Sequence, residues 1–236
     1  MKVIGKDIGT TIERLYQEVE SRLEIEAERS LIFEGGAEGT FSNISWRDAE
    51  VAIQLHNGVP THALPHVVGV ALEHVRQRLE RYPTVQRPPA PDVPDGPLLR
   101  GALRELVLAP AANHGLRSFD LDTAWEAEQR HQALKDLLRD AGEAWNDPED
   151  PGHAFAALLY ARAAIEHPPD LWAPLAEAFE EKLPRVAETG KAVEQAVRQH
   201  GWNSPGACLE SLVAARALVG LEPIAAIHDR RTGQTL

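Results

Sequence analysis

At 236 residues and 43% hydrophobic, the chain is long enough for one large domain or two small ones with a proper core. Its 24 basic against 36 acidic residues give a formal charge of −12, which opposes attraction to nucleic-acid phosphates or an anionic membrane, so neither is an expected partner. The single cysteine, Cys208, excludes an internal disulfide and a Cys-based zinc knuckle. No apolar signal region opens the sequence, and no stretch approaches the ~20 apolar residues of a membrane span; a soluble cytoplasmic protein is expected.

In chain order, Ile8, Ile12, Leu15, Val19 and Leu23 recur at spacings of three and four, which predicts an amphipathic helix over Asp7 to Leu23. Three segments of β character follow: Glu24 to Glu28 running into Leu31-Ile32-Phe33, then Thr40 to Trp46, then Glu50 to Leu55. Gly35-Gly36 and Gly39 supply turns, and Val51, Ile53 and Leu55 alternate as a strand with one buried face requires. After the loop Asn57-Gly58-Val59-Pro60, a second helix enters near Pro65 and runs to about Arg81. Six prolines between Tyr82 and Pro97 read as a semi-rigid linker or a surface-hugging loop.

Beyond the linker every periodic segment is helical: Leu98 to Leu108, Asp122 to Ala141, His153 to Glu166, Leu171 to Leu183, Gly190 to His200 and Pro205 to Val219. Cys208 falls in the last of these and reads as a buried small side chain. The tail Ile224 to Leu236 is suited to a short hairpin around Asp229 to Gly233. The expected organisation is an α+β unit over 1–82, a linker over 83–97, and a helical region over 98–236 that is either separate or packed on the first as one unit.

The segment that bears on function is Pro65-His66-Val67-Val68-Gly69-Val70-Ala71-Leu72-Glu73-His74-Val75. A zinc-peptidase helix reads H-E-x-x-H, with two His one turn apart on the metal and Glu activating water. In that register the chain reads Val70-Ala71-Leu72-Glu73-His74, so one His remains and the base is an alanine. The order helix, three strands, helix, further helices resembles the zincin (HExxH) metallopeptidase-like proteins over residues 7 to 120. The resemblance implies a small N-terminal sheet flanked by helices, with zinc as cofactor where the motif is whole.

Helix geometry weighs against a metal here. His66 and His74 are eight residues apart, ~12 Å of axial rise, beyond what ~2 Å zinc–nitrogen bonds span. His62 and His66 have i, i+4 spacing, but Pro65 starts the helix and leaves His62 in the loop. In the resembled proteins the next helix adds a ligand, and the nearest candidates are Glu105 and, at a turn just beyond, His114. A site of His74, Glu105 and His114 has acceptable chemistry, and nothing in the sequence assembles it. No cofactor is therefore expected, with zinc the alternative.

Other chemistry is absent. Gly35-Gly36-Ala37-Glu38-Gly39 lacks the Lys and Ser or Thr of a P-loop, and no G-x-S-x-G elbow occurs. Pro148 and Pro151 break the acidic run Asn146 to Asp150, which lacks the alternating ligands of a calcium loop. The best basic patch, Arg76-Gln77-Arg78 with Arg81, is diluted by Glu73 and Glu80. Trp125, Trp145, Trp172 and Trp202 lack interleaved basic residues and read as core anchors.

The sequence thus predicts a catalytically degenerate zincin-like protein acting as a binding or regulatory module for a protein or peptide, not an enzyme. The alternatives are a metal-dependent hydrolase with relocated ligands and an unrelated helical interaction protein. Val70 lies among His66, Glu73 and Gln77, away from the helix's main apolar side. It predicts a groove lined by His66, Val70, Glu73 and His74 that suits a peptide or partner helix.

Overall fold

A computed structural model describes residues 1–89 and 93–236 of the chain, and its architecture is α+β. The chain divides into two compact, interleaved units, residues 1–80 with 112–126 and residues 81–111 with 127–236. The proline-rich stretch 83–97 includes residues 90–92, which lie outside the described residues.

The first unit opens with a small antiparallel pair, β1 (Lys2–Val3) and β2 (Lys6–Asp7). The helix expected from Asp7 begins later, as α1 (Glu13–Ala27). Ile4 and Gly5 turn the chain at positive φ and Gly9 does so again, which commits Asp7 to the hairpin. Ile8 and Ile12 are still buried, so the apolar pattern was core without being helix. Glu24 to Glu28, expected as strand, is the last turn of α1 plus its cap. Glu28 ends the helix in the left-handed region, and Ile25 stands 79% exposed on the outer face.

The sheet consists of β3 (Ser30–Gly35), β4 (Ser42–Trp46) and β5 (Glu50–Leu55), in the order β3-β5-β4. β5 runs parallel to β3, pairing Leu31 with Val51 and Phe33 with Ile53, and antiparallel to β4, pairing Ile44 with Ile53. Being central, it buries Ala52 as well as Val51, Ile53 and Leu55. α2 (Leu64–Leu79) starts with proline in its first turn. It shares one core with Leu15, Val19 and Leu23 of α1 and with β5.

The second unit begins with β6 (Thr84–Gln86), placed between Pro83 and Pro88 where four consecutive residues keep an N–H to donate. Its partner is β7 (Ala226–His228), antiparallel, with Val85 opposite Ile227. The tail turns at Asp229 to Gly233, where Asp229 N donates to Gln234 O at 2.8 Å. α3 (Gly96–Gly115) continues past Leu108, because Pro110 costs one N–H bond but does not end it. Then follow α4 (Ala124–Asp140), α5 (Pro151–Glu166), α6 (Pro169–Lys182), α7 (Pro184–His200) and α8 (Pro205–Leu218). The unit boundaries fall inside α3 and α4.

Among the described residues no strand lies between 98 and 219. The second core centres on α5, whose Tyr160 meets Trp172 and Phe179 edge-on at 4.8 and 5.3 Å between ring centres. Cys208 is buried there, its thiol pushed up to about 12 by burial, which keeps it protonated and unreactive. No described helix is long and apolar enough to cross a membrane.

Candidate functional site

On α2, 100° per residue sets His66, Val70, Glu73 and Gln77 in one stripe and Val67, Val68, Ala71, Leu72 and Val75 on the other side. The apolar side packs into the core, with Ala71 at 0% exposure. The polar stripe is not open. His66 is 4% exposed, Glu73 1% and Gln77 5%, and Val70 is half-buried against the same core.

Residues 112–126, the far end of α3 through the start of α4, cover this stripe. His66 Nδ1 donates to Glu126 Oε1 at 2.5 Å, both side chains buried. A Cβ at Gly69 would lie 3.1 Å from Leu116 Cδ2 and 3.5 Å from Leu121 Cδ1, so the bare backbone is what lets this segment settle. Gly115 is tighter still: a Cβ there would lie 2.6 Å from Glu73 Oε2. Trp125 meets Phe41 of the same unit at 5.1 Å between ring centres, the rings tilted by 53°.

Glu73 carries the unusual electrostatics. Its Oε2 pairs with Arg76 Nη2 at 2.7 Å, while Oε1 is buried with no hydrogen-bond partner among the described residues. Burial pushes its carboxyl up to about 7, and Arg76 opposes the shift without cancelling it. A carboxyl that titrates near neutrality can hold or release a proton. Here it does so under a cover of chain, at 1% exposure and with Gly115 packed against its carboxylate.

The remaining predicted residues do not converge. His74 is half-buried and donates from Nδ1 to Gln77 Oε1 at 2.9 Å. Glu105 accepts from Arg104 at 2.8 Å and faces Arg162 at 3.8 Å. His114 is exposed, and it stands in the last turn of α3, not in a turn beyond the helix. His62 is exposed ahead of α2. Among the described residues no three His, Cys, Asp or Glu side chains are grouped to hold a metal ion, so His74, Glu105 and His114 do not assemble as the sequence allowed. The basic patch is also dispersed: Arg76 is taken by Glu73, and Arg78 lies 4.1 Å over the Trp46 ring.

Glu126, Leu116 and Gly115 are the partners that sequence reasoning missed. The one sequence signal was Gly69, a glycine inside an otherwise strong helix, which marks a close approach of something to that face. Comparison with known proteins returns no match: no family model, no curated protein and no solved structure resembles the chain.

Proposed function

We propose that the chain is a binding or regulatory module with a zincin-like N-terminal unit that has lost hydrolytic chemistry. The observation that carries this reading is Ala71. It stands where the general base of the resembled motif belongs, and it lies wholly buried on the core side of α2. His66 is held through Nδ1 by Glu126 and Glu73 through Oε2 by Arg76, and among the described residues neither belongs to a group of three ligands that could hold a metal ion. Of the predicted groove residues on α2, Val70 and His74 are the two that stay half-buried and within reach of a protein or peptide partner.

Zinc content of untagged protein and peptidase assays on unstructured peptides test the catalytic half. General-base catalysis typically contributes ~10² to 10⁴-fold, and turnover is expected to be undetectable. Turnover abolished by a chelator and restored by zinc overturns the reading. Panning of a displayed peptide library tests the binding half. Enriched peptides should lose binding to Val70→Asp, and peptides indifferent to that change remove α2 from the binding site.

A further inference from the structure

Among the described residues, half-buried arginines find acceptors. Arg22, Arg76, Arg130 and Arg162 meet carboxylates, and Arg29, Arg100 and Arg216 donate to backbone carbonyls. Arg230 is the exception. It is half-buried, yet it has no hydrogen bond or ion pair among the described residues. None of its nitrogens is among the buried unpaired atoms, so the stem is covered while the guanidinium opens to the surface.

The pairing of β6 with β7 brings a second guanidinium beside it. Both strands belong to the second unit, and Thr84 lies opposite His228. Continued along the antiparallel pair, that register sets Arg230 level with Tyr82, next to Arg81. Arg81 turns the chain toward β6 in the left-handed region, at a φ of 60°. Its side chain is exposed and has no partner among the described residues either.

No acid answers the pair. Burial, and then the like charge of Arg81, push Arg230 below the usual arginine range, and no carboxylate of the described residues offsets them. The acids adjacent in sequence are engaged elsewhere. Asp229 is buried and held by Arg231 at 2.9 and 3.0 Å, and Glu80 pairs with Arg22 at 3.2 Å. Like charges held together without a counter-ion repel each other, and the guanidinium fork matches the oxygens of a phosphate. A single negative charge leaves one guanidinium unanswered, whereas a phosphate monoester carries about −1.5 to −2 at neutral pH. The formal charge of −12 disfavours a nucleic acid or an anionic membrane as its carrier.

We propose that Arg81 and Arg230 form a site for a phosphate-monoester dianion at the end of the β6–β7 pair, the phosphate belonging to a small molecule or to a phosphorylated side chain of a protein. The proposal does not rest on the α2 reading above.

Titration of the full chain with phenyl phosphate, followed through backbone amide and arginine Nε–H signals by NMR, tests it. Saturable shifts are expected at Arg81 and Arg230, with benzoate and methyl phenyl phosphate, both monoanions, about tenfold weaker. Arg230→Gln and Arg81→Gln should each weaken phenyl phosphate about tenfold. Arg87→Gln, an exposed change on the same segment, should leave it unaltered. A phosphoserine peptide that binds about tenfold tighter than phosphoserine itself makes a protein the source of the phosphate, and equal affinity makes it a small molecule. Three results overturn the proposal: no saturable shift up to ~10 mM, benzoate as tight as phenyl phosphate, or unchanged affinity in folded Arg230→Gln. A dimer that Arg230→Gln breaks and phenyl phosphate leaves intact would give both guanidiniums to acids of a second copy of the chain, and it overturns the proposal as well.

Discussion

Glu126 closes on His66 across sixty residues of chain, and both side chains lie inside the first unit. A buried donor that loses its acceptor costs the full desolvation of the orphaned group, about 1–3 kcal/mol, whereas removing both partners is far milder. Glu126→Leu and His66→Leu should each destabilise by that amount. The double variant should cost clearly less than the sum, giving a coupling of about 1 kcal/mol or more in denaturant unfolding. Strict additivity would mean that the pair is incidental.

Glu73 should make stability fall as pH rises toward neutrality. Its carboxyl is pushed up to about 7 in the fold and titrates near 4.5 when unfolded. Between those values the folded state retains a proton that the unfolded state has released, so stability is full below about 4.5 and declines through about 7. The loss is on the order of 2–4 kcal/mol. Urea midpoints at pH 5 and 7.5 should differ by more in the parent than in Glu73→Gln, which has no proton to lose.

His167 should act from the acid side. Its imidazole is pushed down to about 4 from an ordinary value of 6.5, by burial and then by Arg130, with Glu166 partly offsetting and His131 and Arg162 adding to the depression. The unfolded chain takes up a proton below 6.5 that the fold refuses until about 4. Stability is therefore full above 6.5 and declines as pH falls toward 4. His167→Gln should flatten the thermal-midpoint profile between pH 6.5 and 4.5.

Two helix glycines should respond with opposite signs to the same substitution. Gly101 in α3 has open space where a Cβ would stand, so Gly101→Ala should stabilise by about 0.5–1 kcal/mol through lost chain freedom. Gly190 in α7 abuts the Tyr160 ring, with a Cβ placed 2.5 Å from Cδ1. Tyr160 is buried and cannot retreat, so Gly190→Ala should cost about 1–3 kcal/mol despite the better helix propensity. Thermal melts of the two variants decide both.

Local pattern carried the reading as far as local forces extend. Val51, Ile53 and Leu55 identified β5 with its observed bounds, and Pro65 placed the start of α2. Glu24 to Glu28 misled because five residues alternating apolar and charged satisfy a strand as well as the end of a helix whose Ile25 faces outward. The helix expected over Leu98 to Leu108 runs on through Pro110 to Gly115, where the packing of α3 outweighs the proline's cost. The stripe of His66, Glu73 and Gln77 was visible on the helical wheel. Its cover was not, because Leu116, Leu121 and Glu126 arrive through tertiary contact from a distant part of the chain.

The interleaving of the two units has a temporal meaning. A ribosome that has delivered residues 1–80 has made the sheet, α1 and α2, and none of the segment that seats over His66 and Glu73. Until residue 126 clears the exit tunnel, those side chains lack their cover, and the burial that raises the Glu73 carboxyl is incomplete. The intervening stretch 81–111 belongs to the second unit, whose β6 waits for β7 near the end of translation. The first unit therefore closes midway through synthesis while a loop of unfinished chain leaves it and returns, and its buried acid gains its altered affinity for protons only at that moment.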